Sequence, residues 1–116
     1  MSKPTSAERS APQDLAAISA QIRAEAQYQR GGHGAHTVIR EDDLRVLVLS
    51  MKAGATIPEH QAQATGSLHV IAGRIRLIFA ERSVELSAGQ IVAIERAARH
   101  SVEALQESEF VLNLGA

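Results

Sequence analysis

The chain reads as an all-β protein, a small antiparallel sandwich or barrel with one helix at its N-terminal end. Three observations carry that reading. From about residue 36 onward, apolar residues recur with a period of two in short runs. Gly54, Gly66, Gly73 and Gly89 punctuate those runs at the intervals of a sandwich or barrel. No internal segment has the helical length that the crossover of a βαβ unit requires.

Composition sets the bounds. A chain of 116 residues fits one domain with a modest core. Hydrophobic residues make up 45%, enough for a globular fold, but aromatics make up only 3%. The core must therefore come from Val, Ile, Leu and Ala, whose branched members favour strands. Net charge is −1 with both signs interspersed, and no basic stripe or aromatic platform appears, so nucleic acid is not an expected partner. No apolar run approaches the ~18 residues of a membrane span, so no membrane is expected either. The start, MSKPTSAERSAPQD, lacks the apolar segment of a secretory signal. The absence of cysteine excludes disulfides, thiol catalysis and thiolate–metal sites. A cytoplasmic location agrees with both features.

Residues 1–10 are polar and contain Ser and Pro, and are read as a flexible tail. Ser10 and Gln13 resemble a capping box, and Pro12 is tolerable in a first turn. Leu15, Ile18, Ile22 and Ala26 recur at helical spacing, which predicts one surface helix within residues 11–30. Arg30-Gly31-Gly32 stops it. His33 and His36 follow in a glycine-rich loop, read as a solvated connector rather than a flap over a barrel mouth.

The barrel domain is expected over residues 36–116. His36–Arg40 and Leu44–Met51 flank a turn at Glu41-Asp42-Asp43. Leu44, Val46 and Val48 face one way and Leu47, Leu49 and Met51 the other, so both faces need cover. If the second set lies outside, it calls for the helix or a partner. A homodimer through an edge strand or this face is therefore expected. Lys52-Ala53-Gly54 turns the chain into Ala55–His60, where Pro58 favours an edge or strand end. Ser67–Ala72, Arg74–Ala80, Ser83–Leu86, Gln90–Ile94, His100–Glu103 and Phe110–Leu114 complete the series.

The chemistry concentrates on His60 and His100, each ending a segment that opens on a glycine, Gly54 or Gly89. An antiparallel barrel can bring two such imidazoles from distant strands to one interior point. Imidazole is both a ligand for transition metals and an acid/base near neutral pH. No Ser-centred nucleophile elbow, P-loop or dinucleotide fingerprint is present.

These segments resemble the cupin superfamily, and the likeness covers most of residues 44–114. The family's first motif runs glycine, five residues, His-x-His, three or four residues, Glu, six residues, glycine. Gly54 and His60 keep its first interval, and Gly66 and Gly73 its last. The second motif runs glycine, five residues, Pro-x-Gly, two residues, His, three residues, Asn. Gly89, Glu95, Ala97, His100 and Ala104 stand at those places. The helix followed by HTVIR and LRVLVLSMKAGATIPEH is further similar to a group of short bacterial cupins. The resemblance implies a small antiparallel double-stranded β-helix, the jelly-roll barrel.

The resemblance also implies a degenerate metal site. Metal-binding cupins use two histidines and a glutamate of the first motif with the histidine of the second. Here His60 and His100 remain, whereas Ala62 stands for the middle histidine and Gly66 for the glutamate. A catalytic metal needs about three protein ligands plus open positions. The expected cofactor is none, or a weakly bound divalent transition metal on His60 and His100. His69 is the candidate third ligand, although strand alternation points it away from the barrel interior. Glu59 has the wrong parity, Gln61 and Gln63 offer weak amide oxygens, and Glu95 reads as a solvated turn residue. Arg74 and Arg76 read as a solvent-side strand face, and Arg96 and Arg99 flank the turn into His100.

The expected function is binding of a small molecule in the barrel, with His60 and His100 lining the pocket. The sequence leaves open whether the chain is an enzyme. The alternatives are a metal-dependent dioxygenase or isomerase whose histidine site is incomplete, and a structural dimerisation module.

Overall fold

The computed structural model describes residues 5–115. The N-terminal region differs from the single helix expected. A short helix α1, Ser6–Arg9, occupies part of the expected tail, whose residues 1–4 lie outside the described residues. Its origin is a capping box: Glu8 N–H donates to Thr5 Oγ1 (3.1 Å) and Thr5 N–H to the Glu8 carboxylate (3.2 Å). Helix α2, Leu15–Ala24, starts from Asp14, whose carboxylate accepts from the N–H groups of Ala16 and Ala17. Gln13 closes no box with Ser10; its amide instead donates to the Val38 carbonyl.

The helix breaks at Glu25, which is extended (ψ 150°), and resumes as α3, Ala26–Gly31. The Glu25 carboxylate meets Nε2 of His36 at 2.8 Å. Gly32, at φ +83°, ends α3 in the left-handed conformation. His33 and His36 are therefore not loop residues. They lie in β1, His33–Arg40, opposite Met51 and Val48 of β2, Leu44–Met51.

The remaining strands are β3 Thr56–Gln61, β4 Gly66–Ala72, β5 Arg74–Phe79, β6 Ser83–Ser87, β7 Ile91–Ile94, β8 Arg99–Ala104 and β9 Ser108–Gly115. They form two antiparallel sheets in the orders β1-β2-β9-β4-β7 and β3-β8-β5-β6. Alternate residues enter the space between them: Leu68 and Val70, Ile75 and Leu77, Val102 and Ala104, with Phe110 and Met51. Burial of these side chains is the main favourable term, about 1.5–3 kcal/mol for each large one.

Strand β2 is covered on both faces, with the assignment opposite to the one that motivated a dimer. Met51 is in the barrel core, with Leu49 packed against it. Val48 lies on the outer face beneath Ile22 of α2 and Tyr28 of α3, in a second small core. The helices sit close enough that a Cβ on Gly34 of β1 would come within 2.8 Å of the Ile22 side chain. The face of Leu49 and Met51, expected outside, is thus turned into the barrel. The large hydrophobics left exposed are Ile39, Leu44, Ile71 and Ile91, the last on edge strand β7. Among the described residues, no helix is long and apolar enough to cross a membrane.

Candidate functional site

Strand periodicity delivers His100 to the barrel. It shares the inward face of β8 with Val102 and Ala104 and is only 6% exposed. Its partner across the ladder is His60, at the end of edge strand β3. The register shifts between Ile57 and His60, and that bulge carries the imidazole to the same face. The ring centroids lie 4.3 Å apart, edge to face, with 61° between the planes. His60 itself is exposed, so the pair spans from solvent to core.

Both imidazoles are held by the same device. Nδ1 of His60 faces the Pro58 carbonyl at 3.0 Å, and Nδ1 of His100 faces the Ala98 carbonyl at 3.2 Å. A carbonyl only accepts, so each Nδ1 carries the proton and donates. Each neutral ring therefore keeps its lone pair on Nε2. Burial pushes the His100 imidazole below the ordinary histidine range. The Ala98 carbonyl opposes that shift, and neighbouring His60 adds to it.

The ladder continues past the histidines: Ala62 N–H donates to the Ala98 carbonyl and Ala97 N–H to the Ala62 carbonyl, both at 2.9 Å. Gln61 also donates its amide to the Ala97 carbonyl at 3.3 Å rather than pointing at the site. Ala97 adopts φ +70°, and among the described residues it is the only non-glycine with positive φ. Left-handed backbone costs an alanine about 1–2 kcal/mol. The strain sits directly before His100, in the turn that the β3–β8 ladder clamps.

The donors expected around this pair do not assemble into a metal site. Ala62 packs against the barrel core and offers no donor atom. Gly66 is closed to any side chain, because a Cβ would stand 2.3 Å from the Asn113 carbonyl oxygen. His69 lies on the exposed face of β4, opposite in parity to buried Leu68 and Val70, and does not join the pair. Glu59 turns outward to Arg99 (3.0 Å). Arg74 and Arg76 bind Glu85 on the outer face, and Arg76 also reaches Glu103 (3.6 Å). Among the described residues, no group of three or more His, Cys, Asp or Glu is placed to hold a metal ion. The residues present therefore do not fit a four-ligand catalytic metal centre.

A cavity of about 490 Å³ opens beside the pair, walled by Phe79, Val92 and Ala98 and rimmed by Arg82, Glu81, Glu95 and Arg99. It touches neither histidine directly. Phe79 connects the two, with its ring 6.1 Å from that of His100, and Ala98 supplies the carbonyl that holds His100. Glu95 is thus a cavity residue rather than merely a solvated turn. Arg82 and Glu81 carried no sequence signal. What could have exposed them is their position in the turn that follows inward-facing Phe79.

Structural comparison identifies the architecture: the chain has a cupin fold. A conserved protein of unknown function from Streptococcus pyogenes matches at TM-score 0.71 and 17% identity, over 99% of this chain and 95% of that one. A cupin superfamily protein from Desulfitobacterium hafniense matches at TM-score 0.68 and 10% identity, over 72% and 76%. A variant of salicylate 1,2-dioxygenase from Pseudoaminobacter salicylatoxidans matches at TM-score 0.80 and 11% identity, over 89% of this chain and 34% of that one. No protein-family model and no curated protein sequence matches the chain.

Proposed function

We propose that this is a cytoplasmic cupin-fold protein that binds a small hydroxylated molecule at its barrel mouth. It does so without metal, or with a divalent transition metal held weakly by His60 and His100. One observation carries the reading: two adjacent imidazoles whose Nδ1–H groups are both satisfied by backbone carbonyls, which leaves Nε2 of each ring as its acceptor. Unprotonated imidazole acceptors of this kind favour hydroxyl or N–H donors and repel anions. Hydrogen bonds to them are strengthened where His100 is desolvated.

Imidazole-detected NMR tests this with catechol and its dimethyl ether, which keeps the ring and both oxygens and lacks both O–H donors. Catechol is expected to shift the Nε2 resonances of His60 and His100, and the ether is not. Equal responses to both compounds, or none to either, would sink the reading.

A second reading, a metal-dependent dioxygenase or isomerase, draws on the Nδ1–carbonyl contacts, which also orient metal-bound histidines. It requires donors from outside the chain, and the metal content of protein purified without chelators separates the two readings. The dimerisation reading now rests on Ile71 (40% exposed) and Ile91 (63% exposed). Light scattering across a range of concentrations decides it.

A further inference from the structure

The cavity beside the histidine pair has a charge pattern that names a ligand class. Its walls are apolar, from Phe79, Val92 and Ala98, while Arg82, Glu81 and Glu95 stand on its rim. Arg99 shares that rim but is already paired with Glu59. Among the described residues, no ion pair is formed by Arg82, Glu81 or Glu95, with one another or with any other group. One unpaired cation and two unpaired anions thus border one apolar space without neutralising each other.

Arg82 is also prepared for an anionic group. Its guanidinium lies over the Phe79 ring, 4.9 Å from the centroid. The ring contact holds the side chain in place, and guanidinium N–H donors match a carboxylate bidentately. Two carboxylates on the same rim would repel a multiply charged anion such as a phosphate ester. They complement a ligand that also carries a cation.

We infer that the barrel mouth takes a small zwitterion of the amino-acid type, with an apolar, hydroxyl-bearing body. Arg82 receives its carboxylate, Glu81 and Glu95 receive its ammonium, and Phe79 and Val92 take its body. The body's hydroxyl is directed past Phe79 toward Nε2 of His100. This rests on the proposal that the histidine pair accepts a hydroxyl donor, and it adds the charged half of the ligand.

Four probes separate the two ideas: tyrosine, tyramine, 3-(4-hydroxyphenyl)propanoate and phenylalanine, titrated into 15N-labelled protein. Tyrosine is expected to bind at least about 10-fold more tightly than tyramine or the propanoate, each of which lacks one charged group. It should shift the amides of Arg82, Val92 and Glu95. Arg82→Gln and Glu95→Gln should each weaken tyrosine by about 10-fold and leave the amide spectrum otherwise dispersed. Equal affinity for tyrosine and either singly charged analogue overturns the zwitterion inference, as does an unchanged affinity in both variants. Equal affinity for tyrosine and phenylalanine, with the charge dependence intact, instead removes the hydroxyl contact to His100. Absence of binding by all four probes overturns both.

Discussion

His60 and His100 face each other across the β3–β8 ladder with their rings 4.3 Å apart, each pinned through Nδ1 to the carbonyl two residues earlier in the sequence. These backbone contacts fix the orientation of both rings. The pair is also a partial coordination shell, since metal-bound histidines are oriented by the same kind of contact. Whether the pair behaves as a ligand pocket or a metal centre is set by what stands next to it.

Metal binding should follow from the donor count. Zn²⁺, Ni²⁺ or Cu²⁺ added to the protein is expected to bind weakly. His60→Ala and His100→Ala should each abolish binding, while His69→Ala, on the outer face of β4, should leave it nearly intact. Binding should weaken on acidification, because a protonated imidazole cannot coordinate. Calorimetric titration of the three variants checks this. Elemental analysis finding one tightly held metal per chain would contradict it.

Position 62 can regain a donor and position 66 cannot. Ala62 follows His60 by two residues and packs toward the core, so Ala62→His adds an imidazole on the same side. Metal affinity should rise by about 100-fold or more, since a first-shell ligand outweighs the roughly 10- to 100-fold effect of a second-shell partner. Gly66→Glu, whose Cβ would stand 2.3 Å from the Asn113 carbonyl oxygen, should cost about 1–3 kcal/mol of stability without adding affinity. Metal titration and denaturant unfolding of the two variants check the contrast.

Much of this was legible in the sequence, and the losses have physical causes. Period-two alternation and glycine spacing disclosed the barrel, because strand burial and tight turns leave local marks at Leu68, Val70, Gly73 and Gly89. They also brought His60 and His100 to one place. Alternation in β2 disclosed two apolar faces but not which was inside, since Ile22 and Tyr28 choose the outer one through tertiary contact. The break at Glu25 was hidden for a similar reason: its partner, His36, is remote in sequence and belongs to another element. The charged rim of Arg82, Glu81 and Glu95 left no periodic trace at all, because turn residues meet only after the sheets have packed.

Ala97 stands where the cupin motif has glycine and keeps the backbone that glycine would take, at φ +70°. Ala97→Gly removes about 1–2 kcal/mol of left-handed strain. It also returns about 0.4–1 kcal/mol of entropy to the unfolded chain. A net stabilisation of about 0.5–1 kcal/mol is expected, read as a higher urea midpoint at unchanged slope. A lower midpoint would show that the turn is not strained.

Stability should fall on mild acidification through His100. Burial lowers its folded-state pKa, so the unfolded chain takes up the proton first as pH drops. The full contribution is present above the unfolded value of about 6.5 and is lost progressively as pH falls toward the depressed folded value. In His100→Gln this part of the pH dependence should vanish. Urea unfolding of both proteins between about pH 7.5 and 5 measures it.

Long-range 1H–15N NMR of the imidazoles at pH 7.5 reads the tautomer of both rings. His60 and His100 are both expected to carry the proton on Nδ1 with a bare Nε2, and added Zn²⁺ to move the two Nε2 resonances together. A proton on Nε2 of either ring, or a response confined to one of them, would contradict this.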